Sequence, residues 1–199
     1  MLPTMSKHPR RPSHGLAAIA ILLLLLASQL RAKDQQTYDG PKAIYILRHG
    51  EKPDGEKDPN LSPQGYERAR SLAKVIPEHF CTPDFIFATA PSKHSARPLE
   101  TIEPLAQSLH MSVIDPYPDA DFGKLAHALL TEPQYRGKTI VICWHHEEIP
   151  SLARALGAES APRKWKSDVF DRMWVLTYSH GQVVFQDLPQ KALPGDSGQ

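Results

Sequence analysis

The feature that most constrains this chain is an alternation. Short runs of apolar and β-branched residues, at 43–47, 84–88, 112–115, 138–143, 172–178 and 182–187, are mostly separated by segments whose apolar positions repeat at helical spacing. Such an order predicts a mostly parallel sheet with helices on both faces, because a crossover must carry the chain back before the next strand can run the same way. The last two runs stand too close together for a crossover and are expected to pair antiparallel at one edge. The predicted fold class is α/β: a three-layer sandwich with a mostly parallel sheet and an antiparallel edge strand.

Local signals place the helices. Ser62-Pro63 opens the first: Ser is a favoured N-cap, and Pro at the first helical position gives up an N–H that has no partner there. Tyr66, Ala69, Leu72, Ala73 and Ile76 follow on one face. Further helices are predicted over 98–109, with Pro104 inside, over 122–130, and over 150–156, the last ended by Gly157. His180-Gly181 marks the turn between the last two strands. Residues 52–60 carry nothing to bury and are expected as a surface loop.

The first 32 residues stand apart. Lys7, Arg10 and Arg11 form a basic head, and an unbroken apolar run follows over 16–27. That length suits the apolar region of a signal peptide and falls short of the ~20 residues that comfortably span a bilayer. The segment is expected to act as a signal peptide or an N-terminal anchor, with 33–41 as a leader, 42–190 as one domain and 191–199 as a C-terminal tail. The domain is thus expected to be exported, periplasmic or secreted, and to meet a membrane only through an uncleaved N-terminal segment. Without residues 1–32, which hold four of the 23 Lys and Arg and no acid, 19 basic residues face 22 acidic ones, a net of −3. A mildly acidic body with no basic cluster argues against nucleic acid as a partner. Two cysteines, Cys81 and Cys143, are too few for a disulfide scaffold, and Cys143 ends an apolar run where a small buried hydrophobe belongs. Whether they pair, and the oligomeric state, are left open by the sequence.

In an open parallel sheet, ligands bind beyond the carboxyl ends of the strands. Two predicted strands deliver unusual residues there: Arg48-His49-Gly50-Glu51 after the first, and Trp144-His145-His146-Glu147-Glu148 after the fourth. Arg97 sits where the second helix begins. Two histidines and two arginines on one sheet edge make an anion site, since the planar guanidinium fork matches phosphate oxygens. The helix starts at Pro98 and Pro150 are expected to add backbone N–H groups.

This combination resembles the histidine phosphatase superfamily, the phosphoglycerate-mutase-like proteins, over roughly residues 43–190. The first family motif is similar to Leu47-Arg48-His49-Gly50-Glu51, followed by Leu61-Ser62-Pro63-Gln64-Gly65. The Ser-x-x-x-Arg-x-x-x-Thr motif is matched, one residue longer, between Ser92, Arg97 and Thr101. The third, often Val-Gly-His-Ser-Asn-Thr-Ile-Pro, resembles Cys143 to Pro150, with Trp144 in the place of Gly, His145 as the family histidine, and His-Glu-Glu as a departure. The resemblance implies that His49 attacks phosphorus, that His145 is its catalytic companion, and that Arg48 and Arg97 bind the phosphoryl group. Water then hydrolyses the phosphohistidine, with no metal or other cofactor. The proton donor to the leaving group is open among Asp119 (Asp121 lies beside it), His146 and Glu147. The partner implied is a phosphorylated small molecule or an envelope phosphoester, with sugar phosphate, lipopolysaccharide-core phosphate and phosphohistidine all in view.

Two other functions compete. A phosphomutase would have to return the phosphoryl group from His49 to product, and a chain this short leaves little for a lid that excludes water. A non-catalytic phospholigand-binding envelope protein is expected to have lost a pocket residue, whereas both arginines and both histidines are present. A zinc site fails on spacing, because Pro150 stands where His-Glu-x-x-His needs its second histidine after His146.

Overall fold

The computed structural model describes residues 40–55, 58–179 and 181–197. The expected export segment, all but the last two residues of the leader, and His180 lie outside the described residues. Strands β1 (Ala43–Arg48), β2 (Phe85–Ala88), β3 (Val113–Ile114), β4 (Thr139–Trp144), β5 (Arg172–Ser179) and β6 (Gln182–Pro189) form one sheet in the order β3-β2-β4-β1-β5-β6. The first four run parallel; β5 lies antiparallel to β1, and β6 antiparallel to β5. The helices are α1 (Pro63–Val75), which runs on into a π-helical turn, α2 (Arg97–Ser108), α3 (Phe122–Thr131) and α4 (Ile149–Ala155).

The strands are apolar on both faces because both faces are covered. Ile44, Ile46, Ile140, Ile142 and Trp144 pack against Leu125 and Leu129 of α3 and Leu152 of α4. Their strand neighbours Leu47, Val141 and Cys143 point the other way, against Leu72 of α1 and Ile102 and Leu105 of α2. Each such side chain, fully buried, contributes roughly 1.5–3 kcal/mol. The three layers and the antiparallel edge match the expected architecture. Cys143 is buried and Cys81 half-buried, and both are free thiols.

Two local outcomes differ in extent from expectation. The third strand shrinks to two residues, since Pro116 and Pro118 cannot extend a ladder. The fourth gains Trp144, which pairs in register with Arg48. As expected, Ser62 caps α1, its hydroxyl accepting the Gly65 N–H at 3.1 Å. Gly157 closes α4 at φ +94°, with paired bonds from Gly157 N–H to the Arg154 carbonyl and from Ala158 N–H to the Ala153 carbonyl. The chain leaves β1 toward the α1 face and β4 toward the α4 face, so a crevice opens between those two strand ends.

Candidate active site

The site begins where β1 and β4 end together. The His49 N–H extends their ladder by donating to the Trp144 carbonyl at 3.2 Å, which brings His49 and His145 to adjoining positions with ring centroids 5.1 Å apart. The His49 ring is buried, and its Nδ1 lies 2.7 Å from the Gly50 carbonyl oxygen. A carbonyl only accepts, so Nδ1 carries the proton and Nε2 keeps its lone pair. Burial pushes the His49 pKa down to about 2; the Gly50 hydrogen bond opposes this, while His145, Arg48 and Arg97 add to it. His145 is pushed down to about 4 by burial and by Arg97, with Glu147 opposing. Both imidazoles are neutral at neutral pH.

Arg48 is held from an unexpected direction. Its Nη1 donates to the carbonyls of Ser167 at 2.6 Å and Val169 at 3.1 Å, and its guanidinium carbon lies 3.8 Å over the Phe170 ring. Phe170 also stands edge-on to His49, centroids 6.1 Å apart. Nothing in the sequence reading pointed to residues 167–170; the only signal was the apolar pair Val169-Phe170 inside a charged stretch. Burial lowers the Arg48 pKa to about 10, which leaves it a cation at neutral pH.

Arg97 opens α2, and its Nη1 donates to the Asp58 carbonyl at 2.9 Å, anchoring the end of the loop before α1. One turn on, the Thr101 hydroxyl donates to the Arg97 carbonyl at 2.7 Å and accepts the Gly50 N–H at 2.9 Å. The four-residue spacing of Arg97 and Thr101 is thus one helical turn that fastens the loop after β1 to the start of α2. The Nε groups of Arg48 and Arg97 are buried without partners. The amides of Glu148 and Ile149 at the start of α4, expected to face a ligand, both donate instead to the His145 carbonyl at 3.1 Å.

The three proton-donor candidates differ sharply. Asp119 has a buried Oδ1 with no partner, and burial together with Glu148 and Glu147 pushes its carboxyl up to about 7. His146 is driven below its ordinary value by burial and Arg48, and its Nδ1 lies 2.7 Å from the Glu147 carboxylate without the alignment of a hydrogen bond. Glu147 is largely exposed. Of the three, Asp119 is the one whose carboxyl burial brings near neutrality. Beside Phe170 opens a groove of about 690 Å³, lined by Glu51, Lys52, Ser62, Gln64 and Ser167 among others, which is room for a small organic group. Among the described residues, no three His, Cys, Asp or Glu side chains converge as a metal centre requires, and no helix is long and apolar enough to cross a membrane.

Comparison of sequences finds no match: neither a protein-family model nor a curated protein. Comparison of structures does. The chain is similar to the protein histidine phosphatase SixA complexed with tungstate, at TM-score 0.53 and 17% identity over 74% of this chain and 97% of that one. It is similar to phosphoserine phosphatase from Entamoeba histolytica in complex with 3-phosphoglyceric acid, at TM-score 0.51 and 18% identity over 76% and 99%. It is also similar to phosphoglycerate mutase from Bacillus anthracis, at TM-score 0.50 and 13% identity over 78% and 96%. Identities this low speak for the backbone alone, and that backbone is the phosphoglycerate-mutase-like fold these proteins share.

Proposed function

We propose that this chain is a phosphatase that hydrolyses phosphomonoesters through a phosphohistidine on His49. One observation carries the reading. A neutral, buried imidazole has its Nδ1 proton tied to a carbonyl, which leaves the Nε2 lone pair for attack, and two arginines and a second imidazole stand around it. In the first step the Nε2 lone pair forms a bond to phosphorus, and the ester P–O bond breaks with its electrons passing to the leaving oxygen. That oxygen takes the Asp119 proton. Arg48 and Arg97 neutralise the equatorial oxygens, and His145 donates an N–H to them as charge spreads. In the second step water attacks phosphorus, the P–N bond returns its electrons to Nε2, and a water proton restores Asp119.

The resemblance to a protein histidine phosphatase and a phosphoserine phosphatase makes their substrate classes the first to assay. The basic head and apolar run of the first 32 residues support action outside the cytoplasm, on a phosphorylated small molecule or an envelope phosphoester. The test is turnover of p-nitrophenyl phosphate by protein lacking residues 1–32. His49→Ala is expected to lower it at least about 10³-fold with the circular dichroism unchanged. Undiminished turnover in that variant sinks the assignment. Phosphate binding without turnover of any ester by the unmutated chain would favour the non-catalytic reading.

A further inference from the structure

Trp144 stands where the resembled family has glycine, and the structure shows two attachments for it. Its backbone carbonyl accepts the His49 N–H at 3.2 Å. Its side chain is fully buried, and the indole Nε1 donates to the backbone carbonyl of Asp119 at 3.2 Å. Asp119 begins a single 3₁₀ turn, Asp119–Asp121, whose own closing bond is Asp121 N–H to the Pro118 carbonyl. Tyr117 and Phe122, on either side of that turn, pack against the same apolar cluster as the Trp144 ring. The Asp119 side chain contributes little to holding itself, since its Oδ1 has no partner.

We propose that Trp144 is a positioning residue that sets Asp119 against His49, so that the carboxylic acid meets the leaving oxygen as the nucleophile displaces it. The proposal rests on the phosphatase reading and specifies how its two ends are registered. The flanks of the turn are held by the Ala90 N–H on the Tyr117 carbonyl and by Lys124 on Asp121, both at 2.8 Å. The indole bond lands on Asp119 itself, and proton transfer tolerates little displacement there. A glycine has no side chain to make the indole bond. The residue that aligns the nucleophile's backbone here also pins the backbone of the acid, so the separation between them passes through one rigid, buried side chain.

Leaving-group dependence is the readout. A good aryl leaving group departs with little help from an acid, whereas an alkyl ester such as β-glycerophosphate needs the proton. Trp144→Phe keeps an aromatic ring and removes the indole N–H. We expect the ratio of kcat/KM for β-glycerophosphate over p-nitrophenyl phosphate to fall at least about tenfold. Asp119→Asn should lower that ratio about 10²-fold or more, and adding Trp144→Phe to it should lower it no further. An equal loss on both substrates, or a Trp144→Phe effect that persists undiminished in the Asp119→Asn background, overturns the proposal. Should Trp144→Phe fail to fold, Trp144→benzothienylalanine, which puts sulfur in place of the N–H at nearly the same shape, is judged by the same ratio. Failure of the phosphatase reading is separable, because it shows as absent p-nitrophenyl phosphate turnover in the unmutated chain.

Discussion

Asp119 and His49 both lose water to burial and are driven in opposite directions by it. Burial disfavours whichever form is charged, so the imidazole becomes a free base and the carboxyl holds its proton. A nucleophile and an acid are thereby ready at one pH, as in other enzymes that separate the pKa values of two neighbouring groups. For alkyl esters, kcat/KM should fall as pH rises through about 7, where Asp119 of the free enzyme gives up its proton, while the aryl ester shows a shallower alkaline limb. No acid limb from His49 or His145 in the free enzyme should appear above about pH 4. The same shift carries a stability cost. The unfolded carboxyl ionises near 3.8 and the folded one near 7, so stability is lost between those values as pH rises and stays lost above them. Asp119→Asn should therefore be more stable than the unmutated chain at pH 8, by about 1 kcal/mol once solvent screening of a partly exposed group is allowed for. That gain should vanish near pH 4 in urea titrations. An Asn variant less stable at pH 8 would mean the carboxylate has a partner after all.

At the scale of elements, the loop after β1 and the start of α1 meet through two glycines. A Cβ at Gly50 would sit 2.9 Å from the Gly65 carbonyl oxygen, and one at Gly65 would collide with the Glu51 carbonyl oxygen. That carbonyl accepts the Ser62 N–H at 2.9 Å, so the cap of α1 and the loop bearing His49 form one tight joint. Gly65→Ala should lower kcat/KM at least about tenfold and stability by roughly 1–3 kcal/mol. Gly123→Ala, in α3 with open space around it, should be neutral or stabilising by up to about 1 kcal/mol. Assaying the two variants together separates a jammed joint from a general intolerance of alanine. This joint shows why the sequence was readable in some places and opaque in others. The strands and helices were legible because apolar period, Ser62-Pro63 and Gly157 are local signals. Arg48, His49 and His145 were legible because a parallel strand's end is a place, whatever the rest of the chain does. The strand order was not, since it depends on which crossover covers which face. Nor was the clamp on Arg48, because Ser167 and Val169 act through backbone carbonyls that any residue carries. His110, in the left-handed conformation at φ 55° after α2, was equally hidden, because the usual glycine is missing there.

Across the whole molecule, the C-terminal end of the described fold is joined to the site through one buried cation. Arg68 of α1, 3% exposed, donates to both Glu51 carboxylate oxygens, to Gln190, and through Nη1 and Nη2 to Asp196 at 2.9 and 2.8 Å. Asp196 in turn accepts the Ala192 and Leu193 amides, so residues 192–196 fold back onto the helix. Taken alone, burial would lower the Arg68 pKa and raise that of Asp196. The hydrogen bonds between them win in both cases and strengthen each charge. Replacing Arg68 by Met would strand Glu51 and Asp196 as buried carboxylates, and the expected loss is roughly 3–5 kcal/mol. Asp196→Asn removes one charge and keeps the shape, so a smaller loss of about 1–2 kcal/mol is expected at pH 7. Because the folded Asp196 pKa lies below its ordinary 3.8, its contribution is fully present above that value and disappears as pH falls through the lowered one. The gap between the unmutated chain and Asp196→Asn should accordingly close on acidification, whereas a gap caused by altered packing would not. Glu51 lies two residues beyond His49, so the same variant should also loosen the nucleophile's loop and lower turnover of every ester alike. That uniform loss is distinct from the leaving-group-dependent loss expected of Trp144→Phe, because the tail steadies the nucleophile while the indole steadies the acid.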